Sequence, residues 1–224
     1  MSAPQSRRCQ GRVITEVSLA ALVMSTITLG CGTPQVTMTP EARSFTPADY
    51  EGVYKDWTRG ADEFAFGRFA DVLHVTATFQ SWEQRWAYVV RYAHDHSLRT
   101  EARADMLRAT LDDAAENHRF FVTLVGNNLR ESDLTSARAA WRVLMVDERG
   151  NTTVPVEIEK VDRPDAATRT YFPSVSPHRI AFRVVFPVAR ADGSRTIPNN
   201  AEFILLRFTG AQGTIDLRWD FADG

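Results

Sequence analysis

The chain has 224 residues, with 26 Lys and Arg against 28 Asp and Glu, so its formal net charge is −2. This balance argues against nucleic acid or an anionic lipid surface as a charge-driven partner. The length suits one domain with its own core, and no internal repeat or second domain boundary is visible. The basic residues are almost all scattered arginines, which we interpret as coding bias and not as a binding surface.

The N-terminus has the order of an export signal. Arg7, Arg8 and Arg12 precede an apolar run from Val17 to Leu29. This run is shorter than the roughly 20 residues that a membrane-spanning helix needs, so a retained transmembrane anchor is not expected. We therefore predict a signal peptide over residues 1–30.

A cysteine follows this run directly. The segment from Ile27 to Cys31, with Gly30 before the cysteine, resembles the lipobox of bacterial lipoproteins. The resemblance implies cleavage before Cys31, lipid attachment to its thiol, and a place in the cell envelope at the outer membrane, facing the periplasm. Cleavage elsewhere by an ordinary signal peptidase is the rival interpretation. Because Cys9 leaves with the signal, no intramolecular disulfide is expected.

The segment after the cysteine predicts a tether and then the start of a domain. Residues 31–45 contain prolines and threonines without an apolar period, which predicts a disordered tether. A single domain is expected over residues 46–224. Thr46 and Pro47 are typical of a helix start, and the apolar residues from Tyr50 to Trp57 have helical spacing, so a short helix is expected to end near Gly60.

One strand and two helices are predicted next. Residues 73–79 alternate between apolar and polar side chains, which indicates a half-buried strand. Ser81 and Gln84 form a capping box at the start of a helix whose apolar stripe includes Trp82 and Trp86. A second helix is predicted over about residues 101–117. Together the two helices form a hairpin that is inserted over residues 81–117.

The rest of the chain, after the helical hairpin, has the pattern of an all-β unit. Turn residues separate six apolar runs, at residues 120–125, 141–146, 154–161, 180–188, 203–208 and 215–221. Counting residues 73–79, about seven strands are expected. We predict a mainly β (α+β) fold, an antiparallel β-sandwich with an N-terminal helix and the inserted helical hairpin. Pro155 indicates that its strand lies at a sheet edge.

Motifs of catalysis and metal binding are weak in this chain. It contains no Gly-x-Ser-x-Gly, no His-Glu-x-x-His and no phosphate loop. His94 and His96 are the candidate metal ligands, but residues two apart do not share a face of the helix predicted here. The acidic residues Asp112, Asp113 and Glu116 are interpreted as a solvated helix face. No cofactor is therefore expected.

Aromatic side chains are the remaining candidates for a binding site. Tyr88 and Tyr92 lie one helical turn apart and off the predicted apolar stripe, so we expect them to flank one exposed patch. Tyr171 and Phe172 precede Pro173 in a segment predicted as a loop and are also expected to be exposed. Flat apolar faces of this kind bind carbohydrate or peptide ligands.

These patterns leave three functional expectations. The first is a lipid-anchored cell-envelope protein with a noncatalytic structural or protein-interaction role, whose partners are the membrane and an envelope protein, and not nucleic acid. The second is a module that binds carbohydrate or peptide, for which a cleft between sheet and helices would be the discriminating feature. The third is a metal-dependent enzyme that uses His94 and His96.

Overall fold

The computed structural model describes residues 33–40, 43–65, 70–126, 128 and 132–222, except for the side chains of residues 63–72. The predicted signal peptide and Cys31 lie outside the described residues. From Thr33 onward the chain forms one compact unit. Within the described ranges, no helix is both long enough and apolar enough to cross a membrane.

The described ranges contain four α-helices and ten strands. The helices are α1 (Tyr50–Asp56), which follows a 3-10 turn (Pro47–Asp49), α2 (Trp82–Asp95), α3 (Thr100–Glu116) and α4 (Ala166–Tyr171). The strands are β1 (Gln35–Val36), β2 (Thr58–Ala65), β3 (Ala70–Gln80), β4 (Asn117–Gly126), β5 (Trp141–Asp147), β6 (Thr152–Thr153), β7 (Glu157–Val161), β8 (Ile180–Pro187), β9 (Phe203–Gly210) and β10 (Gly213–Phe221).

The strands form two five-stranded sheets. Sheet A has the order β1-β10-β9-β5-β6, and sheet B has the order β2-β3-β4-β8-β7. Every neighbouring pair is antiparallel except β1 and β10, which are parallel. The predicted mainly β, sandwich-like α+β fold is therefore confirmed. The α2–α3 hairpin connects β3 to β4, and these two strands pair directly, with Gln80 opposite Arg119.

An aromatic core lies between the two sheets. Phe79 of β3 and Phe120 of β4 stack with ring centroids 4.6 Å apart, and Trp219 of β10 packs edge-on against Phe120 at 5.4 Å. The indole N–H of Trp219 donates to the carbonyl oxygen of Trp57 at 3.0 Å. Because this indole is fully buried, the bond satisfies a group that would otherwise be costly to desolvate, and it ties the end of α1 to sheet A.

The helices cover the outer face of sheet B. Alternation along β4 directs Phe121 away from Phe120, and Phe121 stacks on Phe172 with ring centroids 4.2 Å apart. Phe121 is only 2% exposed, so the part of this face around Phe121 is a second packed layer. Helix α2 begins where the sequence predicts, because Ser81 Oγ accepts the backbone N–H of Gln84 at 3.2 Å.

The structure differs from the sequence-based expectation mainly near the N-terminus. Helix α1 ends at Asp56, not near Gly60, because β2 begins at Thr58 and pairs with β3. Residues 35–36 pair with β10, and both Val36 and Phe45 are buried, so these parts of the predicted tether belong to the domain.

Pro155, which the sequence predicts at a sheet edge, lies where the chain passes from one sheet to the other. Pro155 lies between β6 and β7, which are edge strands of sheet A and sheet B respectively. Its missing N–H is tolerated there, since no central strand needs it. With β1, β2 and β6, the described residues contain three strands more than the seven predicted.

Candidate functional site

The structure brings together the four aromatic residues that the sequence singles out. The ring centroid of Tyr88 lies 5.7 Å from that of Tyr92, 5.2 Å from that of Tyr171 and 6.4 Å from that of Phe172. The first two residues belong to α2, and the other two lie at the end of α4. The four rings therefore form one cluster from segments that are far apart in the chain.

This cluster is not the exposed patch that the sequence predicts. Tyr171 is 3% exposed and Phe172 is 7% exposed, while the two tyrosines of α2 are half-buried. The expected loop is instead the short helix α4, which is capped by Asp165 as its Oδ1 accepts the N–H of Thr168 at 2.7 Å. The hydroxyl of Tyr50 then donates to the carbonyl oxygen of Tyr171 at 2.6 Å and holds this end against the domain.

A cleft of about 600 Å³ opens beside the cluster, between α2, α3, α4 and the outer face of sheet B. Its volume falls within the roughly 300–1,000 Å³ of small-molecule sites. Three of the predicted aromatic residues line it, Tyr88, Tyr92 and Phe172. Polar and charged side chains complete the lining, namely Gln80, Gln84, Arg85, Thr110, Asp113, Arg119, Asp165, Thr168 and Arg183. The cleft combines aromatic surface with hydrogen-bonding groups.

Two arginines and one aspartate form the charged side of the cleft. Arg119 contacts Asp113 with two hydrogen bonds, from Nε to Oδ2 at 2.6 Å and from Nη2 to Oδ1 at 2.7 Å. Arg85 Nη1 donates to the same Oδ2 at 2.5 Å. These guanidinium groups hold the pKa of the Asp113 carboxyl well below its usual range, so the carboxylate stays ionised. The charges are paired with each other and hold the walls of the cleft in place.

Two other polar side chains, Gln84 and Tyr88, line the cleft. Gln84 is only 1% exposed, and its side-chain amide hydrogen-bonds the hydroxyl of Tyr50. Burial raises the pKa of Tyr88 to about 12, so its hydroxyl stays protonated even in mildly alkaline solution.

The histidine candidates do not form a metal site with other described residues. His94 Nδ1 lies 3.1 Å from Asp95 Oδ1, and the His96 ring stacks on Tyr92 at 4.0 Å. Both histidines are exposed at the end of α2. Across the part of the chain that the structure describes, no three His, Cys, Asp or Glu side chains converge to hold an ion.

The polar half of the cleft is not indicated by the sequence. The acidic pattern predicts Asp113 on a solvated helix face with Asp112 and Glu116. The structure shows that only the other two are exposed, because Asp113 pairs with Arg85 and Arg119. The cap prediction indicates Gln84 only as a capping residue. No sequence pattern indicates that these residues meet, since they come from α2, α3 and β4.

Fold and site together define a class of domain, a β-sandwich whose outer face and helical hairpin enclose an aromatic, polar cleft. Comparison with protein families, with curated proteins and with solved structures finds no match to this chain. The support for a function therefore comes from the cleft itself and from the N-terminal sequence pattern.

Proposed function

We propose that this chain is an exported, lipid-anchored protein of the cell envelope whose domain binds a carbohydrate in the aromatic cleft without catalysing a reaction. The anchor is inferred from the lipobox-like segment that ends at Cys31, which implies attachment to the outer membrane on the periplasmic side. The binding role is supported by one observation above all, the cleft between the helices and sheet B that the tyrosines of α2 line.

The chemistry of the lining favours a sugar. A sugar ring offers an apolar C–H face and a rim of hydroxyl groups, and it needs flat apolar surface beside several donors and acceptors. Tyr88, Tyr92 and Phe172 supply the flat surface, and Thr110, Thr168 and Gln80 supply polar groups beside it. A concave site also suits a small ligand better than a flat protein surface does, which shifts the preference from an envelope-protein partner to a ligand. A short peptide is the alternative occupant.

Binding to the cleft is tested with defined oligosaccharides and short peptides as probes. We expect the oligosaccharides to shift the amide resonances of α2 and α4 in NMR titrations. Tyr92→Ala is expected to weaken this binding at least tenfold, because it removes a half-buried stacking face. Phe203→Ala is the matched control, since this half-buried aromatic lies on β9 in the other sheet. Binding of peptides alone would transfer the proposal to peptides, and no binding by either panel would refute it.

The anchor is tested separately. Intact-mass spectrometry of protein extracted from native membranes is expected to give residues 31–224 plus a lipid moiety. Cys31→Ala is expected to release the protein from the membrane or to block its processing. A lipid-free chain cut at another position would overturn the anchor and leave the binding role of the domain in place.

A further inference from the structure

A second cavity, of about 270 Å³, lies at a different face of the α2–α3 hairpin, beside the start of β4. Its walls are mostly apolar, with Phe79, Trp82 and Trp86 on one side and Leu111 and Ala114 of α3 on the other. The cavity shares Gln80 with the cleft but no other lining residue. It is therefore a separate site, and binding there does not depend on the function proposed for the cleft.

Two polar atoms of residues that line this cavity are buried and have no hydrogen-bond partner among the described residues. They are Nε1 of Trp82 and Nε2 of His118, and both residues line the cavity. His118 is only 7% exposed. Folded proteins satisfy nearly all buried polar groups, and each one left unpaired costs about 1–3 kcal/mol. Two such atoms beside one cavity favour a ligand with a polar group at this end, and the Trp82 indole N–H, which can only donate, favours an acceptor.

A positive charge lies beside these two groups. Arg195 lines the same cavity, is exposed, and makes no ion pair with a described carboxylate. Its charge acts on His118, where burial first and Arg195 second lower the pKa to about 3. The imidazole is therefore neutral near neutral pH and has an N–H on one ring nitrogen. The acceptor that matches this surrounding best is an anionic oxygen.

We propose that this cavity binds a small amphipathic monocarboxylate, with its apolar chain inside the hairpin walls and its carboxylate facing Trp82, His118 and Arg195. The indole N–H of Trp82 is a donor only, so it requires an acceptor such as a carboxylate oxygen. The guanidinium of Arg195, which is exposed and lines the cavity, neutralises the charge. An apolar cavity of about 150 Å³ holds benzene in another protein, so this larger cavity accommodates a chain of roughly six to eight carbons.

Octanoate is the probe for this site. The two matched controls are 1-octanol, which lacks the charge, and acetate, which lacks the apolar chain. We expect octanoate to shift the indole N–H resonance of Trp82 at millimolar concentrations or below. Octanol is expected to bind about tenfold more weakly, and acetate is expected not to bind. The absence of any Trp82 shift with octanoate, or equal affinity for octanol, would overturn the proposal.

Substitutions in and beside the cavity test where octanoate binds. Leu111→Trp fills the cavity and is expected to abolish octanoate binding, whereas Leu107→Trp on the same helix, at a residue outside the cavity lining, is expected to leave it unchanged. Should Leu111→Trp fail to fold, Ala114→Phe fills the same space. Arg195→Gln is expected to weaken octanoate about tenfold with little effect on octanol, and Arg142→Gln on β5 is its control. Binding that survives a folded cavity-filling variant would refute the assignment.

Discussion

Replacing Arg85 with methionine is expected to lower the free energy of unfolding by about 3–5 kcal/mol, because this arginine cross-links the base of the helical hairpin. Its side chain is 6% exposed. It donates to the carbonyl oxygens of Gln80 at 2.7 Å, Thr110 at 3.0 Å and Asn117 at 3.1 Å, and to the carboxylate of Asp113 at 2.5 Å. One substitution therefore removes contacts to the end of β3, to α3 and to the start of β4.

The magnitude depends on the groups that lose Arg85 as a partner. Asp113 retains both hydrogen bonds from Arg119, so its charge is not left unpaired, and the loss is expected near the lower end of that range. The carbonyl oxygens lose a charged donor, which is worth about 1.5–3 kcal/mol per hydrogen bond before compensation by water. Methionine fills much of the volume, which limits the contribution of a cavity.

Urea denaturation followed by circular dichroism measures this loss, with Arg108→Met as the control. Arg108 lies on α3 and contacts Asp105, but the two side chains are 70% and 74% exposed, so their pair is worth at most about 0.5 kcal/mol. If Arg85→Met and Arg108→Met have the same free energy of unfolding, Arg85 is not the cross-link that its contacts indicate.

Three further predictions concern other parts of the fold. Burial lowers the pKa of His118 from 6.5 to about 3, so the unfolded chain takes up a proton that the folded chain does not. The free energy of unfolding should therefore fall as the pH drops from 6.5 towards 3, by about 2–3 kcal/mol at about pH 4.5. In denaturation experiments across this pH range, the free energy of unfolding of His118→Phe should change less steeply with pH than that of the wild type. Equal dependence on pH would contradict this prediction. Replacing residues 81–118 with Asn-Gly keeps the pairing of β3 with β4 in a tight hairpin but uncovers Phe121. Size-exclusion chromatography should therefore show aggregates of this variant. A monomer with native strand content would count against the packed outer layer. Gly210→Ala places a Cβ against the backbone oxygen of Ala140 and should cost about 1–3 kcal/mol or more in thermal melts. Gly52→Ala has open space and should stabilise α1 by up to about 1 kcal/mol in parallel melts, and a Gly210→Ala melting temperature at or above the wild-type value would be the contrary result.

The sequence predicts the strands whose buried faces show a period of two. Residues 73–79 and 215–221 alternate because one face of each strand packs apolar side chains in the core while the other face carries polar side chains. Strand β2 has no such signal. Its Thr-Arg-Gly-Ala-Asp segment contains little apolar surface, and its pairing with β3 is a tertiary interaction that a local pattern does not record.

The candidate site is predictable only in part. The aromatic residues of α2 are visible in the sequence because one helical turn separates them. The predicted exposure of Tyr171 and Phe172 is wrong, since the nearby prolines suggest a loop while the Asp165 cap and the stacking on Phe121 fold a short helix there. The polar groups that complete the cleft come from distant segments, and only the folded chain places them together.

Several arginines of this chain are structural, a role that their interpretation as coding bias does not include. Arg59 donates to the carbonyl oxygens of Pro34 and Arg218, each at 2.8 Å, and so ties the N-terminal segment and β10 to β2. Arg85 ties the hairpin to both strands that flank it, and Arg190 contacts a carboxylate on β5 at 3.0 Å. A guanidinium offers five donors in a rigid plane, so one side chain satisfies groups from several segments, which a lysine does less well. No second cysteine follows Cys31, so guanidinium hydrogen bonds, together with the apolar core, connect the N-terminal segment, the hairpin and the sheets.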